Sequence, residues 1–196
     1  MTRVSGRSFT LQAHVKGSAF HSRLSWLLLQ GGEAGLRRVQ AQVNDEFSQV
    51  LAQGIRMADW YSFDWYVELN LALDRIYGDG DLALVKTLGR HGAEANLTTI
   101  YRLFFKVGTV KWILARAARI WGLHYDTGQL LVREFPGKEV ELEIANFATP
   151  HRVHCLSVQG WVERAVELSG GENVVLKEIA CRALDDERCR FRVSWD

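Results

Sequence analysis

Residues 173–195 read NVVLKEIACRALDDERCRFRVSW, and this stretch decides how the end of the chain folds. From Cys189 onward apolar and polar residues alternate, a pattern that predicts a strand with one buried face. A second strand precedes it, and the two are expected to form a β-hairpin that turns around Asp185. In that hairpin Cys181 lies opposite Cys189 on the buried side, within thiol-to-thiol range.

In the first strand of this hairpin the alternation of apolar and polar residues shifts by one position. Val174 and Leu176 would lie on one face of a regular strand, whereas Ile179 and Cys181 would lie on the opposite face. A β-bulge at Lys177–Glu178 produces such a shift and turns the Glu178 side chain inward.

The third cysteine, Cys155, lies on the apolar stripe of a helix that Thr149-Pro150 is expected to start and Gly170-Gly171 to end. Three thiols and the Glu178 carboxylate are the four donors that a closed tetrahedral zinc site requires. Cysteine is also a common small buried hydrophobe, and the chain has no CxxC motif. The residues alone therefore leave a metal site and simple packing both open.

Upstream of this helix the apolar period predicts a second hairpin and a set of helices. Its strands cover residues 130–135 and 138–147 and flank the turn residues Pro136-Gly137. The helices are expected at 18–30, 33–43, 45–53, 62–77, 82–96 and 109–121, with caps at Ser18, Asp45, Ser62 and Thr109. Small residues along one side of the fifth helix, Gly89, Gly92, Ala93 and Asn96, predict a close approach of another backbone. This order of elements predicts an α+β fold, with N-terminal helices packed on a C-terminal antiparallel sheet.

Length and composition favour one domain over residues 1–196, with an arm at 1–17, a helical part at 18–122, and the sheet with its helix at 123–196. The net charge is +1 and 47% of residues are hydrophobic, so we expect neither nucleic-acid binding nor attraction to an anionic membrane. The longest apolar run is too short to span a bilayer, and no signal peptide is evident. We expect a cytoplasmic protein with reduced cysteines.

The stretch Lys177–Ala183 with Cys189-Arg190 resembles the 4-vinyl reductase domain family and the related aromatic-sensing domains of phenol- and xylene-responsive activators. Those domains carry a cysteine, then Glu-x-x-Cys, then seven residues and Cys-Arg, and the 22 residues between Cys155 and Glu178 also agree. The resemblance implies a 4-vinyl reductase or haem-NO-binding type of fold. It also implies structural zinc, with Cys155, Glu178, Cys181 and Cys189 as its ligands.

Two further stretches, Val15–Phe20 and Ala93–Tyr101, are similar to a myxobacterial family of about the same length as this chain. The chain departs from the phenol sensors at two places. Glu134 stands where they have a tryptophan, and their Leu-His-x-Leu-Glu-Gly segment is absent. Phenol sensing and direct transcriptional activation therefore do not carry over.

Aromatic residues among the helices could line an apolar ligand pocket or simply fill the core. The candidates are Trp65, Tyr66, His91, Phe104, Phe105, Trp112, Trp121 and Tyr125. His151 and His154 flank Cys155 and could form a second shell around a metal there, but the favoured interpretation is that they are solvent-facing residues at a helix start. The row Arg188, Arg190 and Arg192 is either a docking surface for an acidic partner or a solvated sheet face.

No catalytic triad, P-loop or dinucleotide motif occurs, so a non-enzymatic role is expected. The first hypothesis is a zinc-stabilised sensory or regulatory domain that binds a small hydrophobic molecule. The alternative is a protein-binding adaptor with a filled core. A homodimer is expected, and a protein partner is left open.

Overall fold

The computed structural model describes residues 12–100 and 109–196, with the backbone alone for residues 96–100. The helices of the described part are α1 Gly17–Gln40, α2 Asp45–Gln53, α3 Phe63–Tyr77, α4 Ala83–Ile100, α5 Val110–Arg119 and α6 Arg152–Leu168. Its strands are β1 His14–Lys16, β2 Trp60–Ser62, β3 Gln129–Glu134, β4 Glu139–Ala145, β5 Val175–Ala180 and β6 Cys189–Ser194. The predicted α+β class, with helices before a β-hairpin, a helix and another β-hairpin, is confirmed.

The main sheet is antiparallel, with strand order β3-β4-β6-β5. Its inner face is apolar because alternate residues such as Leu142 and Phe191 point towards α6, and both are fully or almost fully buried. Strands β1 and β2 form a separate two-stranded sheet that joins the start of α1 to the start of α3. The partnership of β1 with residues 60–62 was not predicted.

Side-chain caps fix most of the helix starts. Ser62 accepts a hydrogen bond from the backbone N–H of Asp64, and Thr109 accepts one from Trp112, as their positions predict. At α2 the cap is Asn44 rather than Asp45. At α6 the prediction was wrong as well. The helix begins at Arg152, because the ring Nδ1 of His151 accepts the hydrogen bond from Val153.

The two helices predicted on either side of Gly31-Gly32 are one helix, α1, with a kink. Gly32 has φ 54° and ψ −152°, values outside the helical region that glycine adopts at no steric cost. The helix also begins at Gly17 and its cap, Lys16, makes no side-chain cap bond, so the predicted Ser18 cap was wrong.

Helices α4 and α6 pack with their backbones unusually close. A Cβ added at Gly160 would lie 2.0 Å from the carbonyl oxygen of Lys86, and one at Gly89 would lie 2.2 Å from that of Ser157. The predicted close approach of another backbone to the small residues of α4 is therefore confirmed, and that backbone belongs to α6. Charged side chains link the same two helices at their margins, including Lys86 to Glu163 at 2.7 Å.

Across the described ranges, we find no helix with the length and apolar character needed to cross a membrane.

Candidate functional site

Three thiols meet where α6 packs on the sheet. The Sγ atoms of Cys155 and Cys181 are 3.3 Å apart, and those of Cys155 and Cys189 are 3.6 Å apart. All three side chains are buried and form no disulfide. The sequence pattern therefore predicted this cluster correctly, because the buried stripe of α6 and the inward face of the hairpin converge there.

Glu178 lies nearby but is held by α6. The ladder between β5 and β6 shifts register between Glu178 and Ala180, so the strand contains a bulge, but it follows Glu178 and does not lie at Lys177–Glu178 as predicted. Glu178 itself is in the regular ladder, opposite Phe191. The carboxylate Oε1 accepts hydrogen bonds from Arg152 and, at 2.7 Å, from Gln159. It is not part of the group that the three thiols form within 4.8 Å of one another. The role of the four residues as metal ligands stays a prediction.

Hydrogen bonds within the cluster make the thiols of Cys155 and Cys189 unequal. Those from the Cys155 thiol and from the backbone N–H of Arg182 lower the pKa of Cys189 below its ordinary value. The hydrogen bond to Cys189, together with burial, raises the pKa of Cys155. Cys189 is therefore the more acidic of these two thiols.

We expect these thiols to be unreactive in the folded chain despite the lowered pKa of Cys189, because burial denies the reagent access. Ellman's reagent should label three thiols per chain after denaturation in urea, and none at a comparable rate before it. The variant Leu184→Cys is a positive control, since Leu184 lies on the same hairpin and is 58% exposed. Rapid labelling of the native wild type would show that the cluster is open to solvent.

His154 lies in an enclosure of aromatic rings one turn before Ser157 on α6. Its ring centroid is 4.2 Å from Phe147, 4.8 Å from Tyr125, 5.4 Å from Phe63 and 5.6 Å from Trp121. The interpretation of His154 as solvent-facing was wrong, because it continues the buried stripe of Val158 and Val162. Burial, with smaller contributions from His151 and Arg23, lowers its pKa to about 3, so the imidazole is neutral. Its Nε2 is buried and has no hydrogen-bond partner among the residues that the structure describes.

The aromatic residues proposed as a pocket do not form one group. Trp121, Tyr125 and Tyr66 belong to the continuous core around Phe63, and burial raises the pKa of Tyr125. Trp65 stacks on Phe47 at 5.4 Å. The remaining described members lie apart, with His91 hydrogen-bonded to Ser25 and Trp112 43% exposed. Phe104 and Phe105 lie outside the described residues.

A set of buried polar side chains crosses the helical core beside this enclosure, and we call it the polar seam. Its members are Ser22, Arg23, Tyr66, Asn70, His154 and Ser157.

The seam is organised around Arg23. The guanidinium donates to Asn70 at 3.3 Å, to Ser22 at 2.8 Å and to the hydroxyl of Ser157. It also lies over the ring of Tyr66, whose hydroxyl is 2.9 Å from that of Ser157. The seam joins α1, α3 and α6.

Sequence reasoning missed the polar seam, although a signal for it exists. Arg23 stands between Phe20 and Leu27 at core spacing on α1, and Asn70 stands between Leu69 and Leu73 on α3. A polar residue at such a position points into the core. Looking for polar interruptions of each apolar stripe would have located the seam.

The arginine row on β6 is paired with the glutamates of β4. Arg192 lies 2.9 Å from Glu141, Arg190 lies 3.8 Å from Glu141, and Arg188 lies 3.5 Å from Glu143. These ion pairs follow from the antiparallel register, which sets Glu141 opposite Arg192. The row is therefore a charge-balanced sheet face and offers no excess positive charge to an acidic partner.

The described fold resembles several solved structures, although no family model and no curated protein matches the sequence. One is an H-NOX protein from S. oneidensis in the Fe(II)NO ligation state, with TM-score 0.71, 12% identity, and coverage of 92% of this chain and 99% of that one. The Fe(II) unliganded H-NOX protein from K. algicida gives TM-score 0.67 at 15% identity, covering 92% and 96%. An oxygen-binding H-NOX domain related to soluble guanylate cyclases gives 0.66 at 11% identity, covering 92% and 95%.

The chain has the H-NOX fold. The expectation of a haem-NO-binding type of fold is thereby confirmed. The resemblance to the 4-vinyl reductase and myxobacterial families was wrong, since no family model supports it and the structural neighbours are H-NOX proteins. The motif that suggested it covers a single hairpin, and a short hairpin pattern can recur in unrelated chains.

The assignment of structural zinc was also wrong. The zinc depended on the family resemblance, whereas the structures that share the H-NOX fold are named for heme, NO and oxygen. The hypothesis of a zinc-stabilised domain that binds a small hydrophobic molecule was wrong for the same reason. What these proteins bind does not transfer through the fold at such low identity, so a haem has to be tested against the residues of this chain.

His154 is the natural candidate for a haem ligand in the polar seam, because a haem iron takes an imidazole nitrogen that is neutral and unpartnered. A ligating nitrogen must also face a space that can receive the iron and its porphyrin. No water-sized space adjoins Nε2 of His154, and four aromatic rings surround the imidazole. The described residues therefore do not fit a haem coordinated by His154.

Proposed function

We propose that this chain is a non-enzymatic sensor domain, in which the H-NOX fold receives a small-molecule ligand at the polar seam. The structural neighbours support a sensory role at the level of the fold, since one is described as an oxygen-binding domain related to soluble guanylate cyclases. The carrying observation is the seam itself. Polar groups that join three helices in the middle of a core are costly unless they are satisfied, and they specify position when a ligand satisfies them.

The position of the polar seam suits a sensor. A ligand that contacts Arg23, Asn70 and Ser157 at once contacts α1, α3 and α6. Helix α6 also carries Cys155 to the sheet and packs tightly on α4 through Gly160. A ligand that favours one arrangement of these helices would therefore bias the arrangement of the whole domain.

Haem is the alternative to a small-molecule ligand at the polar seam, and absorption spectroscopy distinguishes these two possibilities. We expect protein from a haem-supplemented culture to show no Soret band that depends on His154, because the imidazole is already enclosed by rings. Native mass spectrometry of the same sample should show a non-covalent small molecule that is not haem and dissociates on denaturation.

The matched variant for this test is His154→Phe, which keeps a ring in the enclosure but removes the ligating nitrogen. Stoichiometric haem with a Soret band in the wild type that disappears in this variant would contradict the proposal. Equal spectra without a Soret band are the expected result.

A further inference from the structure

Three buried thiols converge from two different parts of the fold. Cys155 belongs to α6, whereas Cys181 and Cys189 belong to the hairpin that contains β5 and β6. Sγ of Cys155 lies 3.3 Å from that of Cys181 and 3.6 Å from that of Cys189, and all three atoms lie within 4.8 Å of one another. Among the histidines, cysteines and acidic residues that the structure describes, no other three come so close together. The fold therefore brings soft donors of the kind that a thiophilic metal ion requires to one point.

The spacing of the sulfurs suits one ion without a preformed cavity. Three thiolates that bind an ion at about 2.3 Å in one plane lie about 4 Å from one another. The thiols of this cluster need to move apart by only about 0.5 Å, because the ion takes the place of the thiol hydrogens between them. The backbone N–H of Arg182 already donates to Sγ of Cys189 at 3.3 Å, a contact that orients a thiolate ligand.

The side chains around the cluster leave it with three donors and a cation. The guanidinium of Arg152 hydrogen-bonds to the Glu178 carboxylate and interacts with the thiol of Cys181, so its positive charge offsets that of the thiolates. Gln159 donates to the same carboxylate oxygen at 2.7 Å. Glu178 is therefore bonded to α6, and it does not belong to the group that the three thiols form.

The number and kind of donors decide which ion fits. Structural zinc is almost always four-coordinate, and a zinc with three protein ligands keeps a water in the fourth position. Cys189, the most exposed of the three, is only 4% exposed, so solvent does not supply that ligand. An iron–sulfur cluster bound by cysteines takes four of them, one more than the chain contains. Monovalent copper is the remaining soft ion that thiolates select, and it is stable with three thiolate ligands in a plane.

We propose that Cys155, Cys181 and Cys189 bind one monovalent copper ion as thiolates, and that Glu178 is not a ligand. This inference goes beyond the proposed function and does not depend on it, because it uses none of the residues of the polar seam. A bound ion would join α6 to the hairpin and so stabilise the packing of the helix on the sheet.

The test supplies the ion while the chain folds, because the site is buried. The protein is produced in a copper-supplemented culture and purified anaerobically in an excess of reduced glutathione. Glutathione offers one thiol per molecule, so it should remove copper from adventitious surface sites but not from three thiols that the fold preorganises. We expect one copper per chain, three sulfur neighbours in the copper X-ray absorption spectrum, and a Tm above that of metal-free protein. Protein from a zinc-supplemented culture should retain no zinc after the same purification.

Cys155→Ser and Glu178→Gln separate a three-donor site from a four-donor site. The first removes the thiol that contacts both others, and the copper content should fall at least about tenfold. The second removes the carboxylate but keeps an oxygen that accepts from Arg152 and Gln159, so its copper content should equal that of the wild type. Circular dichroism checks that both variants fold, and Cys189→Ser is a second thiol variant.

Three outcomes would overturn the inference. One is a wild type that retains no copper, and another is a wild type that retains zinc instead. The third is copper that survives in Cys155→Ser or is lost in Glu178→Gln while both variants remain folded. None of these bears on the haem test, in which a Soret band dependent on His154 would instead remove the proposed function.

Discussion

Gly160→Ala is expected to destabilise the folded chain by about 3 kcal/mol, the upper end of what overpacking of a well-packed interface costs. The new Cβ would lie 2.0 Å from the carbonyl oxygen and 2.9 Å from the carbonyl carbon of Lys86, and 3.2 Å from the backbone nitrogen of Arg90. Those atoms belong to the helical backbone of α4, so they cannot move aside as a flexible side chain can. Relief requires α4 and α6 to separate, which loosens the centre of the domain.

Urea unfolding followed by circular dichroism measures this effect as a shift of the midpoint. Gly122→Ala is the matched control, because a Cβ at Gly122 meets nothing within 4 Å and should change stability by no more than about 0.5 kcal/mol. Gly89→Ala should resemble Gly160→Ala, since its Cβ meets the backbone of Ser157 from the other side. Equal midpoints for Gly160→Ala and Gly122→Ala would show that the helices are not packed this closely.

The second large effect is a loss of stability in mild acid that originates at His154. Burial lowers the pKa of His154 from 6.5 to about 3 in the folded chain, whereas the unfolded chain titrates near the ordinary value. The unfolded state therefore binds more protons between these two pKa values, and stability is fully present above pH 6.5 and falls as the pH drops towards 3. At about pH 4.5 the loss from this residue alone should be about 3 kcal/mol, at about 1.4 kcal/mol per pH unit.

His154→Phe isolates this contribution. The variant keeps a ring among Phe63, Tyr125 and Phe147 and removes the buried unpartnered nitrogen, so at neutral pH its stability should be close to that of the wild type. Contributions from the other titrating groups are common to both proteins and cancel in the difference. If the stability of both proteins falls equally between pH 7 and about pH 4.5, His154 is not buried as a neutral imidazole.

The fold was predictable from the sequence where local pattern determines structure. The alternation along β4 and β6, the phase slip near Glu178 and the small residues of α4 each report a backbone geometry directly. They were sufficient for the α+β class, for the presence of a bulge in β5 though not for its place, and for the convergence of three cysteines. The cap of α6 was missed because Thr149-Pro150 is the commoner starting signal, whereas His151 acts through its ring nitrogen.

The candidate site was less predictable because its members are dispersed along the chain. Arg23 and Ser157 are 134 residues apart, and no short motif records that they meet. The spacing of Cys155, Glu178, Cys181 and Cys189 did predict proximity. It could not predict that Arg152 and Gln159 would engage the carboxylate. Residue spacing reports which side chains come near one another, and the competing partners of each side chain appear only in the fold.

A crystal structure of the haem-supplemented protein tests the central claim most directly. The account predicts a small molecule other than haem in contact with the polar seam, with the rings around His154 closed and no porphyrin present. A porphyrin bound to Nε2 of His154, with the residues of the seam bonded only to one another, would contradict it.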